Sequence, residues 1–199
     1  PLPAHALEAI RDVAGSYCNL ELDLPSGDRG SRFVHIEPLI CELSGAEAAV
    51  VVNNNAGAVL LMLSVLASGR EVIVSRGELV EIGGSFRIPD IIEASGATIR
   101  EVGTTNRTHL ADYEKAIFAH TGLILAVHPS NYKVEGFTSG VDLAELVELG
   151  RRAGVAVAYD LGGGALVDLA QWGLPPEPIV GQALATGVDV VSFSGDKVL

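Results

Sequence analysis

"DLAELVELGRRAGVAVAYD", residues 142–160, decides the fold. A segment of helical period runs into Gly154, and an apolar, β-branched run follows and stops on Asp160. Glycine closes a helix most easily in the left-handed conformation, so the stretch reads as helix, glycine, strand. The unit recurs, because Gly69, Gly96 and Gly187 also stand between a helical run and an apolar one. Strands are expected at residues 48–52, 71–75, 98–102, 123–128, 155–160 and 188–192, with helices at 55–67, 89–95, 110–119, 142–152 and 179–185. Strands that alternate with helices form a mostly parallel sheet covered on both faces, a three-layer α/β/α architecture. Residues 3–15 read as a further helix, followed by the polar, Gly-containing "NLELDLPSGDRGSR" as an ordered loop or arm. The expected organisation is an N-terminal helix and arm over 1–34 and a ligand-binding large domain over 35–199.

The 199 residues are 48% hydrophobic and 19% charged, enough for one sizeable core. Formal charge is 13 − 25 = −12, the wrong sign for a broad face that neutralises nucleic-acid phosphates. An RNA partner would need a local basic patch or another domain. The longest apolar stretch, residues 56–67, is short of the roughly 20 residues a bilayer requires. Cys18 and Cys41 show no paired spacing, which points to reduced thiols in a cytoplasmic protein. Asn106-Arg107-Thr108 matches a glycosylation acceptor without a secretory pattern beside it. The five histidines lack metal-ligand spacing, so no metal is expected.

Ligands of such sheets collect beyond the carboxyl ends of the strands. The segments there are "NNNAG", "SRGELVEIGG", "GTTNRTH", "HPSNYKVEGFT", "DLGGGA" and "SGDK". Asn54, Asn55 and Ala56 open an apolar helix, where Asn either caps a purely structural helix or helps its first N–H groups cradle a phosphate. Asp160 ends an apolar strand; it either caps the glycine loop or pairs with a protonated pyridine nitrogen. The Gly162 and Gly164 pair has Val167 where a third glycine would complete a dinucleotide fingerprint, which weakens a nicotinamide reading. Lys197 follows the last strand close to Ser192 and Ser194. A lone lysine is usually a solvated charge, but a desolvated one forms Schiff bases, and serine hydroxyls bind phosphate. The order of asparagine helix start, aspartate, then Ser-x-Ser-x-x-Lys assembles the parts of a pyridoxal 5'-phosphate site.

With those parts in place, the stretches "RGSRFVHIEPLICELSGAEAAVVVNNNAGAVLLML", "SRGELVEIGGSFRIPDIIEASGATIREVGTTNRTHLADYEKAI", "HPSNYKVEGFT" and "SFSGDKVL" resemble the bacterial selenocysteine synthases, the L-seryl-tRNA(Sec) selenium transferases. The resemblance covers nearly the whole chain and is carried by the loops as well as the strands. It implies a fold-type I enzyme that uses pyridoxal 5'-phosphate and selenophosphate to turn seryl-tRNA(Sec) into selenocysteinyl-tRNA(Sec) through an aminoacrylyl intermediate. On that resemblance Lys197 holds the cofactor and moves the α-proton, and Asp160 pairs with the ring nitrogen. Asn54, Asn55 and Ala56 receive the phosphate together with Ser192 or Ser194. Arg32, Arg76 and Arg107 are candidates for the anionic selenium donor, each with a solvated-surface alternative. Ser130, Asn131 and Asp196 orient the substrate, and His128 is either a ring contact or a hydrogen-bonded core histidine.

The family implies tRNA contacts mainly on segments absent here or on neighbouring subunits, and a homo-oligomer built as a ring of dimers. It also implies a seventh strand after the lysine, between the sixth strand and the first. The chain stops before it, so a gap or an unpaired sheet edge is expected near residues 48–52 and 188–192, with poor stability and no activity for this piece alone. Two rivals remain: a related lyase acting on a small amino acid or amino sugar phosphate, and a non-catalytic homologue.

Overall fold

The computed structural model describes residues 2–84 and 86–197. Its main sheet is wholly parallel, in the order β4-β1-β5-β6-β7, with β1 Glu71–Ser75, β4 Thr98–Val102, β5 Thr121–Val127, β6 Ala156–Asp160 and β7 Val190–Ser192. Every residue of β5 is buried, as the central strand of a sheet covered on both faces must be. Alternation along the strands sorts the core into two layers. Val72, Val74, Leu123, Leu125 and Ala158 pack with helices α3 (Asn55–Leu66) and α4 (Ile88–Ala94). Ile73, Ile124, Ala126 and Val157 face α5 (Leu110–Ala116) and α6 (Leu143–Ala153) on the other side. Each fully buried Leu or Ile of β5 contributes about 1.5–3 kcal/mol of apolar burial.

Local chemistry sets the helix ends. Asp142 and Glu145 form a reciprocal capping box at the start of α6, and Gly154 closes it at φ 66°. Gly150 lets α6 press onto β6, since a Cβ there would sit 2.5 Å from Cγ2 of Val157. Such spacing leaves no room for any other residue. A short helix α7 (Val180–Ala185) packs Val180 and Ala183 with Leu161 beside β7.

Residues 48–52 depart from the expectation of a strand. They are hydrogen-bonded to no described strand, and Val50 and Val51 are 55% and 50% exposed. An apolar β-branched run has strand character but becomes a strand only where a neighbour completes its ladder. β7 pairs with β6 alone among the described residues, leaving the free edge that the family resemblance implied. Besides short 3-10 turns, two elements were not foreseen. Helix α2, Glu37–Ser44, starts with a proline in its first turn and ends on left-handed Gly45. A small antiparallel hairpin joins β2 (Glu81–Ile82) to β3 (Phe86–Arg87) between β1 and α4. The N-terminal helix α1, Ala4–Ala14, buries none of its residues. No helix among the described residues is long and apolar enough to cross a membrane.

Candidate active site

Asp160 stands at the carboxyl end of β6 and is 1% exposed. Three donors from three elements converge on its Oδ1: Nδ2 of Asn55 at 2.8 Å, Oγ of Ser192 at 2.9 Å and the N–H of Gly162 at 3.2 Å. Asn55 comes from the first turn of α3, Ser192 from the end of β7 and Gly162 from the loop after β6. No cation pairs with Asp160 among the described residues. A buried carboxylate ordinarily needs a positive partner or a full set of donors; all three donors here fall on Oδ1, and Oδ2 accepts from none among the described residues.

Gly162 holds the corner together. Its φ of 64° turns its N–H onto Asp160, and its carbonyl accepts the N–H of Ser194 at 2.9 Å. A Cβ at this position would lie 2.8 Å from Oγ of Ser130, which places Ser130 directly against the loop. His128 follows β5 and donates its backbone N–H to the Asp160 carbonyl at 2.8 Å. The pKa of its half-buried imidazole is lowered by burial, against the pull of Glu177 and Asp160, which favours the neutral ring.

The start of α3 supplies unmet hydrogen-bonding capacity beside this carboxylate. Asn54 caps the helix by accepting the Gly57 N–H at 2.7 Å. The N–H groups of Asn55 and Ala56 donate to no acceptor among the described residues, and Oδ1 of Asn55 is buried without a partner. Free N–H groups at the positive end of a 12-residue helix suit a phosphate. A ring with a cationic nitrogen and a phosphate arm matches what these residues leave unsatisfied, so the chain fits pyridoxal phosphate.

Most of the residues singled out in the sequence gather here, and some take other roles. Ser192, expected on the phosphate side, spends its hydroxyl on Asp160 because it is the register partner of that residue across β6 and β7. Ser194 donates its hydroxyl to Asp196 at 3.0 Å, and exposed Lys197 follows in the same turn after β7. Asn131 donates to the Glu81 carbonyl at 3.0 Å, tying the loop after β5 to the hairpin. The three arginines do not converge. Arg32 pairs with Glu21 in the N-terminal arm, and Arg76 pairs with Glu101 at 3.0 Å and with the Gly103 carbonyl. Arg107 enters none of the ion pairs among the described residues, in a loop pinned by Asn106 to the Phe137 carbonyl at 2.6 Å.

Sequence reasoning missed Glu78. It lies in the 3-10 turn Arg76–Glu78 after β1, and its Oε2 accepts the N–H of Val127 at 2.9 Å. Burial pushes its carboxyl up to about 7, an effect that the Val127 N–H only partly opposes. The signal was its place just beyond a strand end, inside a segment already marked for inspection.

The family model described as L-seryl-tRNA selenium transferase matches residues 1–199. The chain belongs to that family. A family relative from Carboxydothermus hydrogenoformans, an L-seryl-tRNA(Sec) selenium transferase, is 62% identical over 199 residues, all of this chain and 43% of the relative. The chain thus spans less than half the length of that curated relative. Among solved structures, D-glucosaminate-6-phosphate ammonia-lyase superposes with a TM-score of 0.74 at 19% identity, covering 98% of this chain and 50% of the other. A high-resolution structure of SPT with PLP internal aldimine gives 0.64 at 16% identity, over 97% of this chain and 45% of that one. At such identities the likeness establishes the shared α/β fold.

Proposed function

We propose that this chain is the cofactor-binding part of an enzyme that converts L-seryl-tRNA(Sec) to L-selenocysteinyl-tRNA(Sec) with selenophosphate and pyridoxal 5'-phosphate. The observation that carries the reading is Asp160: buried, met by three neutral donors and no described cation, in a chain of this family. When bound, the cofactor supplies an electron sink for carbanion chemistry. Asp160 holds a proton on the ring nitrogen by charge, and Asn55, Ser192 and Gly162 fix its orientation. The N–H groups of Asn55 and Ala56, behind the Asn54 cap, bind the phosphate.

Lys197 anchors the cofactor and carries the α-proton of the seryl group away and back. Ser130 and Asn131 border the substrate, with Asp196 positioned by Ser194 beside the lysine. Of the three arginines, Arg107 is the one with charge to spare for the selenium donor. The tRNA itself is held mainly by other parts of the enzyme or by neighbouring subunits, in keeping with the −12 charge. Homo-oligomer formation is supported by α1, which leaves Leu7, Ile10 and Val13 more than half exposed.

The test is turnover by the full-length protein. Seryl-tRNA(Sec) with selenophosphate should yield selenocysteinyl-tRNA, whereas free serine should not react. The visible absorption of the lysine-bound cofactor should vanish in Lys197→Ala. Turnover of free serine in place of the aminoacyl-tRNA would overturn the substrate assignment.

A further inference from the structure

Glu78 is anchored through the N–H of Val127, and Val127 is the register partner of Asp160. Glu78 follows β1 and Asp160 ends β6, the two neighbours of β5, and the Glu78 carboxyl reaches to the end of β5, one strand spacing of roughly 4.8 Å from β6. Both carboxyl groups therefore border the space beyond the end of β5, where a ring held at Asp160 would carry its amino acid. The titratable groups facing Glu78 are Tyr113 from α5, Tyr132 from the loop after β5 and Tyr159 from β6, whose phenols are raised chiefly by burial and further by its charge. Asp160 acts on Tyr159 as well. The neighbouring cation in sequence, Arg76, is turned to Glu101, so no described cation pairs with Glu78. Burial raises this carboxyl to about 7, so a protonated fraction persists at neutral pH.

We propose that Glu78 is the general acid that protonates the β-hydroxyl oxygen as it leaves the seryl group. This rests on the function proposed above. Lys197 first takes the α-proton and leaves the C–H electron pair at Cα; in a second step that pair becomes the new Cα–Cβ double bond as the Cβ–O bond breaks. The Glu78 proton passes to the departing oxygen, giving water and a Glu78 carboxylate, which regains a proton from solvent. A hydroxyl leaves poorly as hydroxide, and an acid poised near the working pH is the standard remedy.

The experiment uses the full-length, cofactor-loaded enzyme and its Glu78→Gln and Glu78→Asp variants. Gln retains an oxygen for the Val127 N–H, and Asp retains the acid should Gln fold badly. Infrared difference spectra between wild type and Glu78→Gln should contain the C=O band of a protonated carboxyl that titrates with a midpoint near 7. In deuterated water with seryl-tRNA and no selenium donor, mass spectrometry scores α-proton exchange and hydroxyl loss separately. Glu78→Gln should keep exchange within about 3-fold and lose elimination by about 100-fold or more, with partial rescue in Glu78→Asp. Wild-type elimination should fall as pH rises through about 7, the direction expected when the required form is the protonated one. Absence of the titrating band, undiminished elimination in Glu78→Gln, or equal loss of exchange and elimination would each overturn the proposal. A wild type that exchanges no α-proton would instead sink the substrate assignment, with the infrared band still deciding Glu78.

Discussion

At the end of β6 a carboxylate is buried behind three neutral donors, whereas at the edge of β4 a cavity of about 590 Å³ is lined by Arg76, Arg100 and Lys115 together with Glu101 and Asp112. Size and charge alone would favour the β4 cavity as an anion site. Its cations are largely spent, however: Arg76 on Glu101 at 3.0 Å, and Arg100 on Glu71 at 3.7 Å and over the Phe118 ring at 5.1 Å. The β6 corner instead keeps unmet demands, a carboxylate without a described cation, two helix N–H groups and the buried Oδ1 of Asn55. Unsatisfied polar groups that the fold has gone to the cost of burying mark a site more reliably than open volume does.

The contrast between the two openings is tested most severely at Gly162. Ala there must accept a left-handed backbone and collide with Ser130, so Gly162→Ala should lower stability by about 1–3 kcal/mol and abolish cofactor binding in the full-length protein. Chemical denaturation and cofactor absorption read the two effects. Ser192→Ala removes one of three donors from Asp160 and should weaken cofactor affinity by about 5- to 10-fold, roughly the 1–1.5 kcal/mol of one hydrogen bond, in equilibrium dialysis. The smallest effect separates the arginines. Arg107→Ala should raise the KM for selenophosphate by several-fold, on the order of 1 kcal/mol, while Arg76→Ala should leave it nearly unchanged because Glu101 already neutralises that charge.

Much of this was legible in the sequence. Residues 121–127 and 156–160 form strands because their apolar runs can only be satisfied between two helical layers. The glycines after the helices, Gly69, Gly96, Gly154 and Gly187, all take φ between 66° and 86°. Asp160 was legible as a charge at the end of a buried strand. The run at 48–52 misled because strand character is local and pairing is not. The hairpin escaped because strands of two residues carry no periodicity; across it Arg87 pairs with Glu81 at 2.6 Å. The role of Ser192 depends on register across β6 and β7, and that of Glu78 on the neighbouring end of β5. Neither is a property of a sequence segment taken alone.

The central claim is that Asp160 receives a cationic ring nitrogen. Its most direct test is a titration of apo full-length protein with pyridoxal 5'-phosphate in a Lys197→Ala background, which removes the covalent link and leaves only the fit. Adding Asp160→Asn should raise the Kd by about 100-fold or more, as expected for losing a buried charged partner, while adding Arg76→Ala should leave it unchanged. Equal affinity with and without Asp160→Asn would contradict the account.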